Sequence, residues 1–413
     1  MKIKSILWGL IGLTIIVLFS FTIFQPYSPG VTNYGEMFSG RSALSLLHNF
    51  VGSNIILNFL PAILVLLCAF FYYKIVELFD RKTSVYALFF FVVSPIFARL
   101  SIVSSSFLLS LTFFLSGFYF LFRKRKVVGY ILLSLIPWIS ILDTVVLFFV
   151  FAYYFSHKKH EKKEIIYSVI LLIVAILFHL NNYFIYGMLP NLSLSLAFVS
   201  DFGSFLGFSL FAIILALYSL FFNNNKNLTL AILIGLFASL FFGNDVNIYT
   251  NLFIAYLAGS AFRTLLNLNW THKVIKILTA VAIICGVFLS LITYVETIPV
   301  PSKELIESFD ILENATVLSA EYNGFWIQYF SGQKTIVDSY SNDLMLNKTY
   351  TLFYNRNLKN ATFALDELNV THILIDSRMR EEIWKRDDDG ILFLLNSFDK
   401  IFTNDEVDIW KIK

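Results

Sequence analysis

Few residues of this chain could do chemistry, and most of them are isolated acids and arginines. Glu36 lies in "NYGEMFSGR" (33–41) and is the one carboxylate of the first hundred residues that stands clear of a basic cluster. Arg41 and His48 follow it, and Arg99, Asp143, Asp201 and Asp245 come further along. A carboxylate can take a proton from an attacking nucleophile. An arginine presents a planar fork to a phosphate. Each residue also has a plainer explanation. Glu36, Asp201 and Asp245 read equally as solvated loop acids. Arg41, Arg99 and His48 read as interface residues, and Asp143 as the N-cap of a helix. The choice depends on the elements that hold these residues.

Those elements are apolar. Of 413 residues, 57% are hydrophobic and 14% charged, where soluble domains carry about 25% charge. Repeated runs near 20 residues are almost free of charge, the length a helix needs to cross a bilayer. Cys68 and Cys285 both fall inside apolar runs, which argues against a disulfide framework. A net charge of +3 gives no footprint for a nucleic-acid partner.

The pattern predicts a mainly α polytopic membrane protein of about eleven transmembrane helices, near 5–24, 54–73, 84–101, 104–122, 127–141, 143–156, 165–185, 203–222, 228–243, 248–264 and 275–295. The short pair 127–141 and 143–156 reads as re-entrant, or as one unit kinked at Pro137. "MKIK" and the apolar run after it lack a small-x-small cleavage site, so they read as an uncleaved anchor. With the N-terminus inside, the inner loops hold 17 Lys and Arg, including "RKRK" (123–126) and "KKHEKK" (158–163), against only Arg41 and Arg99 outside. This places Glu36, Asp143, Asp201 and Asp245 on the extracytoplasmic side.

Composition changes near Pro299–Pro301. Residues 302–413 hold 12 basic and 19 acidic residues, while the preceding part is basic. "KELIESFDIL" (303–312) reads as a short amphipathic helix, and "TVLSA" (316–320), "KTIVDS" (334–339) and "THILIDS" (371–377) as short strands. "NATFALDELNV" reads as a helix, and "KIFTNDEVDIWKIK" as a hairpin turning at Asn404–Glu406. The expected division is a helical membrane domain over 1–298 and an extracytoplasmic α/β domain over 299–413. "DDDG" (387–390) reads as a solvated turn, because further calcium-loop ligands are absent. Asn191, Asn314, Asn347, Asn360 and Asn369 begin N-x-S/T on the outer side, as do Asn227 and Asn269 on the inner.

With these parts in order, the chain resembles the GT-C superfamily of integral-membrane glycosyltransferases. "SPIFARLSIVSSSFLLSLTFFLSGFYFLFRKRK" (94–126) is similar to the third and fourth helices of that family. "SAEYNGFWIQYFSGQKTIVDS" (319–339) resembles the start of the soluble domain in its oligosaccharyltransferase branch, and "THILID" and "DEVDIWKI" its later strands. The resemblance implies sugar transfer from a polyprenyl-phosphate-linked donor on the extracytoplasmic face of the cytoplasmic membrane, to a glycan, lipid or protein acceptor. It further implies a catalytic carboxylate at Glu36, donor-phosphate contacts from Arg41 and Arg99, support from His48 or Asp143, and a divalent metal such as Mg or Mn. Two departures stand out. The acceptor motif of the oligosaccharyltransferases, Trp-Trp-Asp-Tyr-Gly, has as its nearest counterpart Glu321–Trp326, without the paired Trp or the Asp. The region of the second acidic motif reads "RLSIVSSSFL" (99–108), without a carboxylate. A non-catalytic relative that binds a lipid carrier or a partner is the alternative. A transporter would show repeated halves and midplane charges; no internal repeat and almost no midplane charge are found.

The charge asymmetry makes one direct prediction. With cysteines introduced at Ser339 and Ser84, an impermeant thiol reagent applied to intact cells labels Ser339→Cys and spares Ser84→Cys. The reverse pattern would invert the topology.

Overall fold

The computed structural model describes residues 3–24, 54–102, 105–139, short helical runs within 143–151 and 166–177, 208–222, 244–295, and 301–412 apart from 339–340, 342 and 385–388. These residues fall into two compact units that divide at Ile298/Pro299. The expected span 228–243 lies outside them.

The first unit is helical. In chain order it contains α1 (Ile3–Phe24), α2 (Asn54–Phe79), α3 (Ser84–Val92), α4 (Pro95–Ile102), α5 (Ser105–Phe122), α6 (Lys126–Ser134) with a 3-10 turn at Ile136–Trp138, α7 (Leu210–Phe222), α8 (Asn244–Asn267) and α9 (Lys273–Val295). Among the described residues, two stretches are long and apolar enough to cross a membrane, Ala62–Phe79 and Lys273–Ile292. α3 is buried along its whole length and packs along α8. By contrast, α2 turns Ile63, Leu66, Leu67 and Phe70 outward at helical spacing, and α9 exposes Val274, Ile277, Leu278 and Val281. Water would penalise such stripes by about 25 cal/mol per Å² of apolar surface.

The run expected as one span at 84–101 is two helices. Pro95 has no N–H and cannot continue α3, so the chain restarts with Pro95 as the first residue of α4. Ser94 caps the new helix: its Oγ accepts from the Phe97 amide at 3.2 Å and donates to the Phe91 carbonyl at 2.8 Å. The run 127–141 becomes α6 and the 3-10 turn at Pro137, as a kinked unit would.

Close contacts fix the helix pairs. Gly259 of α8 lies so near α3 that a Cβ there would come within 2.5 Å of the Ala87 nitrogen. Gly117 and Gly129 allow the same approach between α5 and α6. At one end of α8, Arg263 Nη1 donates to Asp80 Oδ2 at 2.9 Å and to Thr83 Oγ1 at 3.1 Å, tying α8 to the α2–α3 turn. Burial pushes the Asp80 carboxyl up, but the Thr83 hydroxyl, the Lys82 amide and the Arg263 charge offset this and hold it below the usual range. Ser84 is fully buried and its hydroxyl donates to the Arg81 carbonyl. The exposed Lys82 is therefore a better position than Ser84 for the thiol probe.

The second unit is a three-layer α/β fold: α10 (Lys303–Ser308), β1 (Thr316–Leu318), α11 (Glu321–Ser331), β2 (Lys334–Thr335), α12 (Asp343–Phe353), α13 (Leu358–Glu367), β3 (His372–Asp376), α14 (Ser377–Ile383), a 3-10 helix (Gly390–Ser397), β4 (Asp399–Thr403) and β5 (Val407–Lys411). The strand order is β2-β1-β3-β5-β4, with β1, β2 and β3 parallel and the β4–β5 hairpin antiparallel. Alternation sends Leu318, Ile373 and Ile375 to one face, against α12, α13 and the 3-10 helix. Val317, Leu374 and Ile409 face α10 and α11. "KTIVDS" pairs only at Lys334 and Thr335. Asn314 and Asn369, two of the sequon asparagines, have φ of 48° and 53°. Asparagine tolerates this left-handed region better than other non-glycine residues, so both have a structural reason to be asparagine.

The α3–α8 contact leaves no room for a side chain at 259. Gly259→Leu should lower stability by about 1–3 kcal/mol through overpacking, read as a drop in the melting temperature of the detergent-solubilised protein. An unchanged melting temperature would mean that the two helices are not held this close.

Candidate functional site

In the helical unit several buried polar side chains gather near the start of α8. Asn247, Thr250 and Asn251 are all buried, and Tyr249 with them. Asn251 Nδ2 donates to Ser94 Oγ at 2.8 Å, so the same hydroxyl that caps α4 also holds α8. Tyr249 donates to Asp143 Oδ1 at 2.8 Å, and its oxygen lies 3.4 Å from Ser110 Oγ. Next to them, Cys68 Sγ lies 3.0 Å from Thr112 Oγ1. A carboxylate buried to 1% exposure needs such donors, because desolvating an ionised acid is costly. The Tyr249 hydroxyl supplies one of them.

Asp143 is therefore the one predicted site residue whose side chain the structure describes. It lies in helical backbone, and its carboxylate is engaged by a tyrosine 106 positions away, a contact that the N-cap reading does not contain. Glu36, Arg41 and His48 lie outside the described residues, as does Asp201. Arg99 stands on α4, with its side chain outside them. Among the described residues, no three His, Cys, Asp or Glu side chains come together as a metal site.

A second cluster forms in the α/β unit. The chain leaves β1 for β2 on one side and reaches β3 on the other, with α11 on one face of the sheet and α12 and α13 on the opposite one. Open α/β sheets bind ligands at such a switch point, outside the carboxyl ends of the strands. Here those ends bear Ser319 and Asp376. Asn323, fully buried, donates through Nδ2 to Asp376 Oδ2 at 2.7 Å and to Ser319 Oγ at 3.1 Å. Its Oδ1 has no hydrogen-bond partner among the described residues. Tyr322 donates to Asp376 Oδ1 at 3.1 Å, and the Met379 amide donates to the same oxygen at 2.6 Å, capping α14. The Arg378 guanidinium sits 4.3 Å from the Tyr322 ring centroid. Burial pushes the Tyr322 phenol well above its ordinary range, and the Asp376 charge adds to that. Gly324 completes the arrangement, since a Cβ there would come within 2.3 Å of the Val337 carbonyl.

The sequence located Tyr322 and Asn323 but not their acid. The carboxylate that Tyr322 and Asn323 bind is Asp376, more than fifty residues on, and no local spacing announces that.

The helical unit is thus followed in the chain by a small α/β unit. The sequence matches no protein-family model and no curated protein. Solved structures do match. The oligosaccharyltransferase of Archaeoglobus fulgidus in its apo form aligns at 13% identity over 91% of this chain and 70% of that one, with a TM-score of 0.63. The same protein tethered to an acceptor peptide containing an NVT sequon gives 14% identity over 95% and 67%, with a TM-score of 0.48. The A. fulgidus oligosaccharyltransferase AglB with an inhibitory peptide and a dolichol-phosphate gives 16% over 86% and 62%, with a TM-score of 0.46. At these identities the likeness is one of fold.

The Asn323–Asp376 pair makes a stability prediction. Asn323→Ala leaves the buried Asp376 Oδ2 without its donor and should cost about 1–3 kcal/mol. Amide hydrogen exchange across β3 and α14 should speed up in the full-length protein. Exchange at the wild-type rate would show that the pair contributes nothing to holding the strand ends.

Proposed function

We propose that this chain is a multi-pass membrane glycosyltransferase that takes a sugar from a polyprenyl-phosphate-linked donor on the extracytoplasmic face. The observation that supports it most is the likeness in fold to an oligosaccharyltransferase over 91% of the chain. The outward apolar stripes of α2 and α9 and the 17-to-2 distribution of basic residues favour a bilayer with the N-terminus inside and the α/β unit outside. In this reading the domain boundary lies near Pro299.

In the reaction, an acceptor nucleophile attacks the anomeric carbon. The bond from that carbon to the phosphate oxygen breaks, and the phosphate leaves with the electron pair. Glu36 takes the nucleophile's proton, and Arg41 and Arg99 stabilise the departing phosphate. His48 supports them from the same outer loop. Asp143, held by Tyr249, keeps the adjoining helices in register. Among the described residues no His, Cys, Asp and Glu side chains form a ligand set for a divalent metal.

A second reading has its own support. The stretch 99–108 holds no carboxylate and 321–326 no paired tryptophan, which fits a non-catalytic relative that binds a lipid carrier or a partner. Incubating the purified protein with radiolabelled polyprenyl-phosphate sugars separates the two. Transfer by the unmodified protein, lowered by roughly 10²–10⁴-fold in Glu36→Gln, is the expected result. Transfer that survives this substitution would remove Glu36 from the mechanism. Absence of transfer from every lipid-linked sugar would leave the second reading.

A further inference from the structure

The α/β unit contains a cavity of about 340 Å³ that shares no residue with the Asn323–Asp376 cluster. It is at the lower end of the roughly 300–1,000 Å³ range of small-molecule sites. Leu392 and Leu395 of the 3-10 helix, both mostly buried, form its floor, and Phe398 forms a wall. Asn396 stands exposed at the rim.

Two cations line the opening, and both are held in place. Lys400 on β4 is the cross-strand partner of Trp410 on β5, and its ammonium lies 5.2 Å from the indole ring centroid. Lys400 Nζ is also 2.7 Å from Asp408 Oδ1. Arg380, projecting from α14, binds the other oxygen of Asp408. Two cations thus share one carboxylate, and the three groups together carry a charge of +1. The side chains of Arg380 and Lys400 remain 35% and 43% exposed, so both reach the opening.

We infer that this cavity binds a pyranose sugar bearing an anionic group. The cations are already fixed, so an incoming carboxylate or phosphate meets charge-assisted donors without ordering them. The leucine and phenylalanine lining suits the C–H face of a pyranose. The Asn396 amide, both donor and acceptor, suits its hydroxyls. A neutral sugar would meet no opposite charge, and a small inorganic anion would leave the Leu392, Leu395 and Phe398 lining uncovered.

The test needs no transfer activity, so its outcome is independent of the glycosyltransferase reading. Saturation-transfer NMR on the full-length protein in detergent would be run with D-glucuronate, glucose 6-phosphate, glucose, acetate and inorganic phosphate. Binding of one or both anionic sugars is expected, and whichever binds more tightly identifies carboxylate or phosphate as the preferred anion. Glucose, acetate and inorganic phosphate should each bind at least about tenfold more weakly. Asn396→Asp keeps the shape of an exposed side chain and adds a like charge, so it should weaken the anionic sugar at least about tenfold while leaving the fold intact. Lys400→Gln should weaken it similarly. The inference is overturned if neither anionic sugar binds, if glucose or a simple anion binds as well as they do, or if both substitutions leave binding unchanged.

Discussion

One hydroxyl group organises the helical unit. Ser94 Oγ caps α4, returns a hydrogen bond to the end of α3, and accepts from Asn251 of α8. A proline breaks the helix at this point, and a break among apolar side chains exposes backbone groups that must find partners. The hydroxyl supplies them and joins three helices in doing so. The neighbouring polar contacts obey the same requirement. Tyr249 reaches Asp143, and Cys68 meets Thr112, because a buried polar group left alone costs more than a paired one gains.

The α/β unit solves a different problem. Its parallel strands are short, and β3 is buried along its whole length. The burial stops at Asp376, where the chain turns into α14. That carboxylate receives the Met379 amide, the Tyr322 hydroxyl and the Asn323 amide. A helix cap and a polar pocket are thus built around the same side chain. α11 can come this close to the segment after β2 because Gly324 has no side chain to meet the Val337 carbonyl.

Much of this was legible in the sequence. Pro137 sits in the 3-10 turn that follows α6, β1, β3 and the β4–β5 hairpin follow from short β-rich runs bounded by polar and turn residues, and the helix over 358–367 from "NATFALDELNV". The division of 84–101 was less visible, because Pro95 sits within a run apolar on both sides. α11 was missed altogether. Its segment "EYNGFWIQYFS" is rich in aromatic residues that favour strands, yet packing against the sheet face lined by Val317 and Leu374 makes it a helix. The pairings of Tyr249 with Asp143 and of Asn323 with Asp376 join residues far apart in the chain. The buried face of α8 did leave a trace, in the polar spacing of Asn247, Thr250 and Asn251.

The contrast between α3 and α9 bears on how the sequence can vary. α3 touches protein on every side, and Gly259 presses against its backbone, so its residues answer to volume and shape. A leucine could not replace an alanine there without moving a helix. The outward face of α9, with Val274, Ile277, Leu278 and Val281, meets no such neighbour, and any apolar residue would serve. A library of random substitutions should therefore separate the two surfaces by the kind of change each accepts: α3 would sort its variants by size, and the outward face of α9 by polarity.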